Sequence, residues 1–154
     1  MYQRILVPLD GSETSLRGLD EAVRLALLHG ATLRLVHGLN TFGRTPGHAS
    51  HTSYSTLLPR MKEEGEQLLQ RARERAEHNG AKAVETELLS SLTVPLAELV
   101  AQDAAAWKAD LIVAGTRGRK GIERLLWGSG AKEVLRLTQV PVLLIQAPET
   151  RASG

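Results

Sequence analysis

The chain has 154 residues, 17 acidic and 19 basic side chains and a net charge of +2, which is enough length for one buried core and too little charge for bulk attraction to nucleic acid. There is no cysteine, which excludes a disulfide framework, thiol catalysis and cysteine-ligated metal, and a reducing cytoplasmic setting is expected. No run is long enough for a membrane-spanning helix and no secretory leader pattern opens the chain.

A single Phe in a composition that is 42% hydrophobic leaves Leu, Val and Ala to fill the core, a mixture suited to helices packed on a sheet. Residues 4–9, RILVPL, form a short apolar run bounded by turn signals and predict a buried strand. DGS follows at 10–12, where Asp10 or Ser12 can cap a helix. Leu16, Leu19, Val23, Ala26 and Leu27 recur at helical spacing, and Gly30 is placed to stop that helix.

Residues 31–38, ATLRLVHG, predict a second strand with His37 at its core or rim. The polar stretch 39–56 is too long for an ordinary connection, so it is expected to be functional or mobile. It holds His48 and His51, but no neighbouring carboxylate or cysteine completes a metal set, and a loop is expected there rather than a zinc site. Met61, Leu68, Leu69, Ala72 and Ala76 mark a second helix closed by Asn79-Gly80, its other face rich in Glu and Arg.

In residues 81–90, Val84, Thr86 and Leu88 alternate with Glu85 and Glu87, so this third strand is expected to meet water on one face or at one end of the sheet. Leu96, Leu99, Val100, Ala104 and Trp107 predict a third helix, with Pro95 in its first turn. Residues 110–115, DLIVAG, are apolar enough to be a central strand covered on both faces. Ala131, Val134, Leu135 and Thr138 predict a fourth helix, and residues 140–145, VPVLLI, a fifth strand. Pro141 cannot donate to a ladder, which favours the sheet edge for that strand. Trp107 and Trp127 are read as packing anchors, and the last residues as a frayed tail.

Alternating strands and helices with right-handed crossovers predict one open parallel sheet with helices on both faces. Ligands of such sheets lie outside the carboxyl ends of the strands, where strand order reverses. The first and fourth strands look the most buried and are expected side by side, delivering PLDGS and GTRGRKG to one crevice. Gly115 and Gly118 would let a loop bring its amides close to a ligand. Gly128, Ser129 and Gly130 would open the fourth helix, whose free N–H groups favour an anion. Arg117, Arg119, Lys120 and Arg124 add charge to the same segment. These are the parts of a phosphate cradle, and equally those of a solvated basic loop with turn glycines and a cap serine.

Two known phosphate loops fail on spacing. No glycine here has the Walker continuation, and Glu133 stands where the third glycine of a dinucleotide fingerprint is needed after Gly128 and Gly130. The spacing met in full is Gly-x2-Gly-x9-Gly-Ser at Gly115, Gly118, Gly128 and Ser129. With RILVPLDGSETS, ADLIVAGTRG and WGSGAKEVLRLTQVPVLLI beside it, the chain resembles the universal stress protein family in its nucleotide-binding branch, over nearly its whole length.

The resemblance implies a Rossmann-like α/β domain over residues 1–147, with strand order 3-2-1-4-5 and a flexible tail at 148–154. It implies ATP, with or without Mg2+, across the first and fourth strands, Asp10 meeting the adenosine and Pro8 and Leu9 lining it. Gly38 would offer backbone groups to the adenine edge. Gly115, Arg117 and Gly118 would wrap ribose and phosphates, and Gly128, Ser129, Gly130 and Ala131 would hold phosphate oxygens. Two departures stand out: Gly38 replaces a larger apolar residue common in the family, and Arg117 stands where many members have His. The family also implies a homodimer through the last strand, Val140 to Ile145.

No carboxylate or His is placed by motif to activate a water, so no catalytic residue is assigned and hydrolysis is expected to be slow at most. The reading is a cytosolic ATP-binding stress-response regulator. An enzyme splitting ATP between its α and β phosphates is the alternative, although LDGSETS lacks the Ser-Gly-Gly-x-Asp-Ser loop of such enzymes. A phosphoacceptor domain lacks its acidic cluster, since Asp10 stands alone. A ligand-free dimer scaffold also remains open.

Overall fold

In the computed structural model, residues 1–39, 51–116 and 134–146 are described. Strand β1 is Arg4–Pro8, β2 Thr32–Gly38, β3 Val84–Leu89, β4 Leu111–Thr116 and β5 Val142–Gln146. They form one sheet in the order β3-β2-β1-β4-β5, every pairing parallel. The predicted topology holds, with β1 and β4 adjacent and β5 at an edge.

The pleat of the central strands divides the core. Ile5 and Val7 of β1, Leu33 and Leu35 of β2, and Leu111 and Val113 of β4 pack on one side with helix α1, Glu13–His29, and helix α2, His51–His78. Leu6, Val36, Ile112 and Ala114 face the other side, against helix α3, Leu96–Trp107, and Val134. Strands buried on both faces need continuous apolar runs rather than alternation, which is how RILVPL and DLIVAG read. Residues 134–137 are helical, as expected of the fourth helix.

Helix ends follow local chemistry. The Ser12 hydroxyl accepts the Ser15 amide at 3.1 Å and caps α1. Gly30 ends α1 in the left-handed region at φ 69°. Helix α3 forms where predicted, but Pro95 is its extended N-cap rather than a residue of its first turn, and it ends on Lys108, a non-glycine at φ 61°, with no stop signal legible beforehand.

The principal departure from the sequence reading is at the start of α2. Residues 51–56, expected in the long polar connection, are helical, and the helix continues through Pro59. Ser, Thr and Tyr carry only modest helix penalties. Once the segment containing Leu69, Ala72 and Ala76 is packed, each added residue gains one hydrogen bond, and Pro forfeits a single one. His51 is therefore a helical residue; His48 lies outside the described residues.

The amino end of the sheet is closed by polar contacts. Arg34 on β2 donates to Asp103 on α3 through Nε at 2.8 Å and Nη2 at 2.9 Å, and reaches Glu85 on β3 at 3.2 Å. The hydrogen bond to Asp103 raises the Arg34 pKa, against the cost of burial and with the attraction of Asp103, Glu87 and Glu85. Arg4 lies over the Trp107 ring at 4.4 Å and donates from Nε to the Trp107 carbonyl at 2.8 Å. Trp107 is the packing anchor expected, though its buried indole N–H has no hydrogen-bond partner among the described residues.

Candidate functional site

At the carboxyl end of β1 the chain leaves the sheet through Leu9, whose amide donates to the Val36 carbonyl at 2.8 Å. Asp10 then accepts the Ser12 amide on Oδ1 at 2.8 Å. Between them, Gly11 adopts φ 84°, a left-handed conformation that a side chain would strain. Ser12, not Asp10, is the helix cap. The sequence left that choice open, and the answer matters: the other Asp10 oxygen has no protein partner among the described residues, and the residue is only half-buried.

Next to this turn stands the end of β4. Gly115 is a strand residue paired with Ile145, not part of a loop. A Cβ on Gly115 would lie 2.9 Å from the Ser15 amide nitrogen and closer still to the Thr14 carbonyl. The first turn of α1 thus rests directly on the β4 backbone. Gly18, one turn later, continues the close approach, its would-be Cβ 3.1 Å from the Gly115 nitrogen. The glycine that sequence reading assigned to loop flexibility therefore has a packing requirement, and it brings β4 against the β1–α1 turn.

On the other flank of β1, His37 donates from Nδ1 to the Leu9 carbonyl at 2.7 Å, the acceptor being a carbonyl. Of the two places expected for His37, core or rim, it takes the rim, and it ties β2 to the residue before Asp10. Helix α2 covers it at Gly65, where a Cβ would come within 3.0 Å of the imidazole Cδ2. Below the turn, on the α1–α2 face, Leu9, Gly11, Leu16, Leu68 and Ala72 wall a hollow of about 300 Å³ rimmed by Arg71 and Arg75. Arg75 is engaged by Asp20 through bonds of 2.8 and 2.7 Å.

The structure therefore gathers Pro8, Leu9, Asp10, Gly38 and Gly115 at the carboxyl ends of adjacent parallel strands. Arg117, Gly118, Gly128, Ser129, Gly130 and Ala131 lie outside the described residues, as do Trp127 and the tail expected at 148–154. Among the described residues, no group of three or more His, Asp or Glu is placed to hold a metal ion, and no helix is long and apolar enough to cross a membrane. Sequence reading missed Thr14 and Ser15, which meet Gly115, and Leu96, which covers Gly38. No local pattern links residues so far apart in the chain.

An open parallel α/β sheet whose strand order reverses between β1 and β4 belongs to the doubly wound class, in which ligands lie outside the carboxyl ends of the strands at that reversal. The universal stress protein family model matches residues 1–146, and the chain belongs to that family. It is 36% identical to a universal stress protein of Methanocaldococcus jannaschii over 151 residues, 97% of this chain and 85% of the relative. Among solved structures, a universal stress protein family member from Burkholderia pseudomallei aligns with a TM-score of 0.74 at 34% identity, covering 95% of this chain and 97% of that one. A universal stress protein in complex with cAMP aligns at 0.68 and 28% identity, covering 94% and 97%. One from Archaeoglobus fulgidus in complex with dAMP aligns at 0.69 and 26%, covering 94% and 98%.

Proposed function

We propose that this protein is an adenine-nucleotide-binding regulator that holds ATP, with or without Mg2+, across the carboxyl ends of β1 and β4. The observation that carries the reading is the contact of Gly115 with Thr14 and Ser15, which sets the start of the glycine motif beside an Asp10 with one oxygen unpartnered among the described residues. In this reading Asp10 accepts a hydrogen bond from the adenosine, Pro8 and Leu9 line it, and Gly38 offers backbone groups to the base. Gly115, Arg117 and Gly118 wrap ribose and phosphates, and Gly128, Ser129, Gly130 and Ala131 hold phosphate oxygens. Relatives with cAMP and dAMP bound support an adenine nucleotide. ATP is the nucleotide that the family resemblance implies; the motif's glycines and basic residues suit phosphate without fixing how many.

The chemistry assigned to the site is holding rather than cutting. Asp10 is engaged on one oxygen by Ser12, and His37 donates Nδ1–H to the Leu9 carbonyl; no motif places either against an attacking water, and no catalytic residue is proposed. The bound nucleotide is proposed to act as a signal in a stress response in the cytoplasm. Self-association through the last strand, Val140 to Ile145, is part of the same proposal. Leu143 and Leu144 on β5 are 37% and 38% exposed, and an apolar edge strand is a surface for pairing.

Titration with a fluorescent adenine nucleotide, with and without magnesium, tests the reading. Saturable binding displaced by unlabelled ATP is expected; absence of binding in both conditions overturns it.

A further inference from the structure

Gly38 closes β2 and is buried, yet the space a side chain would take there is full. A Cβ on residue 38 would lie 2.8 Å from Leu96 Cγ and 2.7 Å from its Cδ2. Leu96 is the first residue of α3, and its delivery is fixed locally. The Ser91 hydroxyl accepts the Thr93 and Val94 amides at 3.1 and 3.0 Å, Pro95 sets the entry at φ −60°, and the Leu99 amide donates to the Pro95 carbonyl at 3.0 Å. The side chain packs on the core cluster holding Val36 and Val100 but is only partly buried. Apolar surface is therefore left open at the end of β2, next to the strand that carries Asp10.

We infer that Leu96 is the apolar wall for the nucleotide base, supplied by α3 in place of the side chain that residue 38 lacks, and that it sets the preference for a purine. This rests on the nucleotide reading given above. A base needs an apolar surface against its ring face, whereas its phosphates are held by polar groups elsewhere; the two parts of the ligand are recognised separately. Gly38 and Leu96 then form one unit: glycine at 38 admits the leucine, and the leucine restores the bulk. Either alone leaves a clash or a gap.

The test compares the wild-type chain, Leu96→Ala, and Gly38→Val combined with Leu96→Ala, titrated calorimetrically with ATP, CTP and inorganic tripolyphosphate. Leu96→Ala is expected to weaken ATP about tenfold, the scale for an apolar group lost from a pocket, to narrow the gap between ATP and CTP, and to leave tripolyphosphate unchanged. The double variant moves the bulk back to β2 and is expected to recover most of the ATP affinity, with urea midpoints confirming that it folds. Unchanged ATP affinity in Leu96→Ala overturns the inference, as does an equal loss of ATP and tripolyphosphate in a folded variant. Should Leu96→Ala fail to fold, failure of the folded double variant to prefer ATP over CTP overturns it as well. A wild-type protein that binds tripolyphosphate but does not distinguish ATP from CTP refutes the wall and spares the phosphate site. Binding of none of the three refutes the site itself.

Discussion

Two aspartates stand at opposite ends of the central strands, and they are used differently. Asp110, entering β4 at the amino end, gives both carboxylate oxygens to the chain: Oδ2 accepts the Gln3 amide at 2.8 Å and Oδ1 the Arg4 amide at 3.0 Å. Asp10, leaving β1 at the carboxyl end, gives one oxygen to Ser12 and keeps the other free of protein partners among the described residues. Around Asp110 lie the Arg4–Trp107 stack and the Arg34–Asp103 pair, polar groups turned inward on each other. Around Asp10 lie Gly11, Gly38 and Gly115, positions where missing side chains are answered by other elements coming close or by a left-handed turn. Among the described residues, one end of the sheet is fastened by saturated hydrogen bonds, while the other is shaped by close approach and is the end proposed to meet the ligand. The same residue type is structural where it is fully satisfied and available where it is not.

The contrast is broken hardest at Gly115. Gly115→Val would push a branched side chain into the Thr14 carbonyl and the Ser15 amide, neither of which can yield without moving α1. A loss of about 3 kcal/mol of unfolding free energy is expected, the upper range for overpacking, read from urea denaturation. Preserved stability would mean that α1 is not seated on β4 as described.

A paired comparison of the two aspartates sharpens the point. Asp110→Ala removes the acceptor of two backbone amides and is expected to cost about 1.5 kcal/mol, with nucleotide affinity of the folded protein unchanged. Asp10→Asn keeps a carbonyl for the Ser12 amide, so stability should shift by less than about 0.5 kcal/mol. Its nucleotide affinity should fall, because the free carboxylate oxygen is replaced by an N–H donor. If Asp10→Asn destabilises and binds normally, the assignment of roles is reversed.

The smallest effect on the fold is expected at the sheet edges. The β3 edge is guarded by Glu85 and Glu87, both paired with Arg34, at 3.2 and 3.6 Å, whereas β5 exposes Leu143 and Leu144. Leu144→Glu should leave the urea midpoint of the monomer nearly unchanged while lowering the sedimentation coefficient from that of a dimer to that of a monomer. A wild type that already sediments as a monomer would remove the proposed self-association through this edge.

Much of the framework was legible because its causes are local. RILVPL and DLIVAG are buried on both faces and carry no alternation. VETELL at the β3 edge does alternate, with Glu85 exposed and Val84 buried. Gly30 ended α1 where a left-handed residue was expected, and the last strand lies at the edge, the position that Pro141 had favoured. The start of α2 was not legible, because the polar composition of residues 51–56 reads as a connection while the packed helix behind it propagates backwards. Nor was the Lys108 cap, since a non-glycine carries no sign that it will turn left-handed.

By itself, then, the chain determined its alternation of strands and helices, the burial of β1 and β4, and the glycine and acidic residues that end them, since periodicity and turn chemistry act over a few residues. Only the tertiary structure decided which of Asp10 and Ser12 caps α1, why residue 115 must lack a side chain, and that Leu96 fills the place left by Gly38. Each of these is a contact or a vacancy made by packing. Only the folded chain brings α1 onto β4 and α3 onto β2, and distances between such elements are not written in any local run of residues.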